Sequence, residues 1–213
     1  MYIILGIILI SGYIFWKRNN RLKNLIKIEG PKILIASFDN DSESLELVKS
    51  DLQIYSANYL DVKNISLQSI QELTNVIEED TFDLIHLIVD VSEKGEIIDK
   101  NKSIIRLNDL ISQVQHGKSK YLFFAKENEY VSYEVGTKNM EFSINLVMTL
   151  NRNGGDFGVF FKSLFDKISS GKTMPVAWNE LAPQIPNANH EHVPGTLCVM
   201  GAGNVILMKN KYD

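Results

Sequence analysis

Four short apolar runs constrain this chain more than any other feature: KILIAS at 32–37, FDLIHLIVDV at 82–91, KYLFFAK at 120–126 and INLVMTL at 144–150. Runs of this length, rich in Ile, Leu, Val and Phe and lacking helical periodicity, read as strands buried on both faces. Between them lie stretches with apolar residues at helical spacing. These are SLELVKSDL, SLQSIQELTNVIEED at 66–80 with Ser66 as the expected N-cap, IIRLNDLISQVQH at 104–116, and FGVFFKSLFDKISSG at 157–171 closed by Gly171. IYSANYLDV at 54–62 reads as a further extended stretch, and TLCVMGAGNVILM at 196–208 as a hairpin turning around Gly201–Asn204. Strands alternating with helices predict an α/β domain over 32–213, a mostly parallel sheet with helices on both faces and a C-terminal β-hairpin at its antiparallel edge. The proline- and asparagine-rich stretch 184–194 reads as a surface loop.

The first 16 residues, MYIILGIILISGYIFW, carry no charge. The next 11, KRNNRLKNLIK, carry Lys17, Arg18, Arg21, Lys23 and Lys27 and no acid. An apolar run with aromatic ends and a basic flank predicts a transmembrane helix over 1–16, followed by a basic juxtamembrane linker over 17–31. As a helix the run would be roughly 24 Å long, slightly short of a hydrocarbon core of about 30 Å. A cleaved signal peptide would have its basic residues before the apolar run, the reverse of the order here. The positive-inside rule sets the N-terminus outside and the domain in the cytoplasm, at an inner or plasma membrane.

Net charge is −4 although the linker is strongly basic, so the remainder is acidic, which argues against nucleic-acid polymers as partners. A single cysteine, Cys198, excludes an internal disulfide and a cysteine-based zinc site, and fits a reducing compartment.

Ligands of parallel α/β sheets sit beyond the carboxyl ends of the strands. That rule nominates Ser37, Asp39, Asp90, Lys126, Asn128, Arg152 and Asn153 as ligand-binding residues, with Lys126 and Arg152 as the cations and Asp90 as counter-charge. His86 lies within an apolar strand and reads as a core histidine satisfied by a neighbour. Cys198 reads as a small buried hydrophobe. His190, Glu191 and His192 make only part of a metal site, so no metal and no cofactor is expected. The glycines match neither GxGxxG nor GxxxxGK[ST]. Phe157, Phe160, Phe161 and Phe165 stand at helical spacing and read as core.

The order of these runs resembles that of caspase-like domains of the CHAT type. FDLIHLIVDVSEKGEIID is similar to the family's third strand with its "H-L-A-T-H-G" ending. KSKYLFFAKENE is similar to the strand that ends in asparagine-alanine-cysteine. INLVMTLNRNGGDFGVFFKSLFDKISSGKTMPVAWNELAP is similar to the closing strand, the "F..FF..L" helix and the "A-W" helix. The resemblance spans roughly 32–185. It implies that Asp90 stands where the family has its catalytic histidine and Lys126 where it has its cysteine. Aspartate cannot act as the imidazole base and lysine cannot form a thioester, so a non-catalytic relative is implied.

Three functions follow as expectations. The first is a membrane-anchored, non-catalytic sensor or effector of bacterial signalling, with antiphage defence as its setting. It would bind a ligand such as a cyclic nucleotide messenger and act on the membrane as a homo-oligomer. The second is a membrane-tethered adaptor that docks a protein through FFKSLF or MPVAWNELAP. The third is a hydrolase whose acidic site uses Asp39, Asp41 or Asp90 with a metal.

Overall fold

A computed structural model of the chain describes residues 24–38, 42–152, 156–182 and 195–209. The strands are β1 (Ile26–Glu29), β2 (Ile33–Ser37), β3 (Val62–Ser66), β4 (Leu84–Ile88), β5 (Glu96–Ile98), β6 (Ile104–Arg106), β7 (Tyr121–Phe124), β8 (Asn145–Asn151), β9 (Gly195–Met200) and β10 (Val205–Met208). The helices are α1 (Ser42–Ser56), α2 (Ile70–Glu79), α3 (Leu107–His116), α4 (Tyr130–Thr137), α5 (Asp156–Ser169) and α6 (Met174–Leu181). Six strands form the main sheet in the order β3-β2-β4-β7-β8-β9, parallel except for antiparallel β9. The expected α/β class and mostly parallel sheet are therefore present.

Each central strand feeds two cores because successive side chains point to opposite faces. Leu34, Ala36, Ile85, Leu87, Leu122 and Phe124 pack under α2, α3 and α4. Ile33, Ile35, Leu84, Ile88, Tyr121 and Phe123 pack under α1, α5 and α6. The four α5 phenylalanines Phe157, Phe160, Phe161 and Phe165 are at most 6% exposed, so FFKSLF is core and offers no docking face. Trp178 of α6 closes on Phe160, ring centroids 4.9 Å apart.

Several expectations about local structure are corrected. The C-terminal hairpin is absent: β9 borders β8, whereas β10 leaves the main sheet and pairs in parallel with β1. Side chains force the departure. Asn145 grips Ala202 on both backbone groups, donating to its carbonyl at 3.1 Å and accepting from its N–H at 3.2 Å. The Tyr121 and Tyr59 hydroxyls then donate to the carbonyls of Val205 and Leu207, each at 3.1 Å. A β-carbon on Gly201 would lie 2.5 Å from the Phe142 carbonyl oxygen, so only glycine permits this turn.

Ile54 and Tyr55 are not extended; they complete α1, because their side chains extend its buried stripe from Val48 and Asp51. The second parallel strand is β3 instead. Ser66 ends that strand, and the N-cap of α2 is Ser69, whose side chain accepts from the Glu72 N–H at 3.2 Å. Helix α3 starts at Leu107, since Ile104–Arg106 pairs with β5.

Among the described residues no helix is long and apolar enough to cross a membrane. The apolar run 1–16 and the basic residues up to Lys23 lie outside them, as do Asp39, Asp41, Asn153 and the stretch 184–194 with His190, Glu191 and His192.

Candidate functional site

The carboxyl ends of β4, β7 and β8 frame a cleft of about 520 Å³ lined by Asp90, Val91, Glu127, Asn128, Glu129 and Tyr130, with Leu150 at its back. Asp90 follows β4 and Lys126 follows β7. Because β4 and β7 are paired neighbours, the Lys126 ammonium reaches the Asp90 carboxylate at 2.7 Å. Asp90 is mostly exposed and Lys126 mostly covered, so the pair lies at the rim.

Asn128 is spent on the scaffold. Its carbonyl oxygen accepts from the Val91 N–H at 2.6 Å. Its amide donates to the carbonyls of Lys126 and Val89 at 3.0 and 3.3 Å and to the Tyr133 hydroxyl at 3.1 Å. The Tyr133 hydroxyl in turn donates to the Thr149 carbonyl at 3.2 Å, and burial raises its pKa. One side chain thus ties β4, β7, β8 and α4 together beneath the cleft. Beyond Val91 the chain enters the β5–β6 hairpin, which is seated on α4 at Gly95, where φ is +69° and a β-carbon would lie 2.6 Å from the Gly136 Cα. Asp99 at the hairpin tip accepts from the Ile70, Asn101 and Ser103 N–H groups at 2.8–2.9 Å, and the bond from Ile70 leads in holding its carboxyl below the usual range.

Arg152 turns away from the cleft. Its guanidinium makes two bonds to Asp51, at 3.0 and 2.5 Å, donates to the Ala125 carbonyl at 2.7 Å, and lies 3.9 Å above the Phe157 ring. Its backbone N–H donates to Glu127. Asp51 is fully buried and also accepts from His86 Nε2 at 2.8 Å, while His86 Nδ1 meets the Tyr55 hydroxyl at 2.8 Å. Because an ionised carboxylate only accepts, the His86 Nε2–H donates to Asp51. Burial pushes the Asp51 carboxyl up, but the bonds and charges of His86 and Arg152 outweigh it and hold it below the usual carboxylate range. Burial raises the Tyr55 phenol well above its ordinary value. The result is a closed chain, Tyr55–His86–Asp51–Arg152, that crosses from the centre of the sheet to α1 and to the β8–α5 connection.

Of the expected ligand-binding residues, Asp90 and Asn128 line the cleft and Lys126 stands at its rim. Ser37 is buried at the end of β2, where its carbonyl accepts from the Leu67 N–H. Arg152 is turned into the core, contrary to its expected place among the ligand-binding cations. The sequence reading missed Asp51, Tyr55, Glu127, Glu129 and Tyr130. A signal for the first two exists: Val48, Asp51 and Tyr55 share one helical stripe, and a carboxylate on an apolar stripe must find a cation or donors. Among the described residues no group of three His, Cys, Asp or Glu side chains is arranged to hold a metal ion. No family model matches the chain, and no curated protein matches it.

Proposed function

We propose that the chain is a membrane-anchored, non-catalytic sensor or effector whose α/β domain receives a partner at the carboxyl edge of its sheet. The Asp90–Lys126 ion pair carries this reading. The caspase-like resemblance pairs these two positions as base and nucleophile, and residues 36 apart in sequence meet at 2.7 Å. That contact supports the resemblance, and the identity of the groups supports a binding role. An ammonium held by a carboxylate is not a nucleophile, and the carboxylate is no imidazole.

What is left is a cleft lined by Glu127 and Glu129 beside the mutually compensated Asp90–Lys126 pair. Lys126 and Arg152 are already bonded to carboxylates, so the charges favour a cationic ligand, such as an arginine- or lysine-bearing segment of a protein, over a cyclic nucleotide. The apolar run at 1–16 would supply the membrane anchor. A single short helix opens a path through a bilayer only by assembling with copies of itself, so partner binding would act through the oligomeric state. Bacterial signalling in antiphage defence is the setting we propose for such a device.

The test is thermal unfolding of the full chain in detergent micelles with an oligo-arginine peptide and, separately, a cyclic dinucleotide. A ligand of the folded state raises the melting temperature by mass action. The peptide is expected to give a shift that falls in Glu127→Gln and Glu129→Gln. A shift with the dinucleotide that disappears in Lys126→Ala would overturn the charge argument and favour a nucleotide receptor.

A further inference from the structure

The path of the tether assigns the two ends of the domain to opposite environments. We infer that the amino edge of the sheet faces the lipid surface and that the acidic cleft opens away from it. This rests on the anchor reading of residues 1–16.

The argument runs through the strand registers. Ile33, Leu84, Tyr121 and Asn145 are in line across the sheet as the first residues of β2, β4, β7 and β8. Met200, the last residue of antiparallel β9, pairs with Asn145, so the turn at 201–204 lies at the amino edge. The chain arriving from the N-terminal run is pinned to that same turn. Ile26 donates its N–H to the Asn204 carbonyl at 3.0 Å, and the Asn204 amide donates to the Asn24 carbonyl at 2.8 Å. From there β1 follows β10 in parallel for four residues, Ile26 opposite Val205 through Glu29 opposite Met208. Cleft residues Asp90, Glu127 and Asn128 all follow the opposite ends of their strands.

Only residues 17–25 separate the apolar run from this attachment. Nine residues span at most about 30 Å, whereas a domain of this size is about 40 Å across. The tether is too short to let the domain invert. Basic and apolar groups stand at the attachment, with Glu29 exposed at the far end of the same strand. Lys27 of the basic stretch is exposed on β1, Ile26 is 45% exposed beside it, and Val176 of α6 is 48% exposed. Its neighbour Pro175 lies 3.2 Å from the β-carbon position of Gly203 in the turn. The five lysines and arginines of residues 17–27, a stretch without an acid, complement an anionic leaflet. A cytoplasmic partner would thus reach the cleft without competing with the bilayer.

The experiment uses the full chain in anionic vesicles that carry an acceptor dye on a fraction of headgroups. In a Cys198→Ala background a donor dye is placed at the amino edge by Glu141→Cys, or at the carboxyl edge by Glu129→Cys. Val176→Cys and Lys100→Cys serve as second positions for the two edges. Energy transfer is expected to be several-fold more efficient from Glu141→Cys and Val176→Cys than from the other two. Equal or reversed transfer in vesicles that float with the protein would overturn the orientation alone. Failure of the chain to float with vesicles would overturn the anchor reading, and the orientation with it.

Discussion

Lys126 and Arg152 leave neighbouring strands at the same edge of the sheet, yet one stops at the rim and the other turns into the core. The Lys126–Asp90 pair has a mostly exposed carboxylate, so water competes with it and its contribution is small. The Arg152–Asp51 pair includes a carboxylate with no exposure, and four groups satisfy one another there. Its members cannot be removed singly without leaving a buried charge or donor unpaired. The difference separates scaffold from surface: the inner pair links the β8–α5 connection to α1, and the rim pair stands at the cleft proposed as the binding surface.

The largest effect should therefore come from the inner pair. Asp51→Asn leaves Arg152 buried without its counter-charge and is expected to cost about 3–5 kcal/mol of stability in chemical denaturation. An Asp51→Asn variant close to wild-type stability would dissolve the contrast between the two pairs.

Next comes the clamp. Asn128→Ala leaves the Val91 N–H without its acceptor and takes one donor from the Tyr133 hydroxyl, which keeps its bond to Thr149; the change should cost about 2 kcal/mol. Amide exchange at Val91 should rise with it. Unchanged protection would mean that the clamp does not organise the cleft.

Acid should act on the inner pair in a defined direction. Asp51 has a folded pKa below its ordinary 3.8, so the unfolded chain binds the proton more readily. Its contribution is complete above the ordinary value and is lost as pH falls through the lowered folded value. Urea unfolding across that window should show a steeper acid limb for wild type than for Asp51→Asn. Parallel limbs would place the acid sensitivity elsewhere.

The smallest effect belongs to the rim. Asp90→Asn or Lys126→Met is expected to change stability by no more than about 1 kcal/mol. A loss as large as that of Asp51→Asn would make the rim pair part of the scaffold.

How far these features could be read in advance follows from the range of the interactions. The runs around Leu34, Leu87, Leu122 and Leu146 were legible as strands because a strand buried on both faces leaves a continuous apolar signature. Ile54 and Tyr55 misled because a short apolar run looks the same on a helix as in a strand, and only the stripe shared with Val48 and Asp51 distinguishes them. The Gly201–Asn204 segment has the composition of a hairpin turn. The tyrosine hydroxyls and Asn145 that redirect β10 come from far along the chain. So does its partner β1: Asn24 and Asn204 meet across 180 residues, a pairing without a local trace. Of the site, strand-end topology pointed to Asp90, Lys126 and Asn128. The inward turn of Arg152 depends on Asp51, whose only local trace is a carboxylate on the apolar stripe of α1.

The central claim is that the carboxyl edge keeps the frame of a base and a nucleophile while an ion pair occupies it. Rebuilding the two groups tests it most directly. In a Cys198→Ala background, Asp90→His with Lys126→Cys would set an imidazole beside a thiol, and the rate of iodoacetamide alkylation against pH reports the thiol's titration. The account predicts a midpoint clearly below the ordinary thiol value of about 8.5, and one at or above it when the Asp90 carboxylate is left in place. A midpoint at or above the ordinary value in the double variant would contradict the claim that these positions form a vacated catalytic pair.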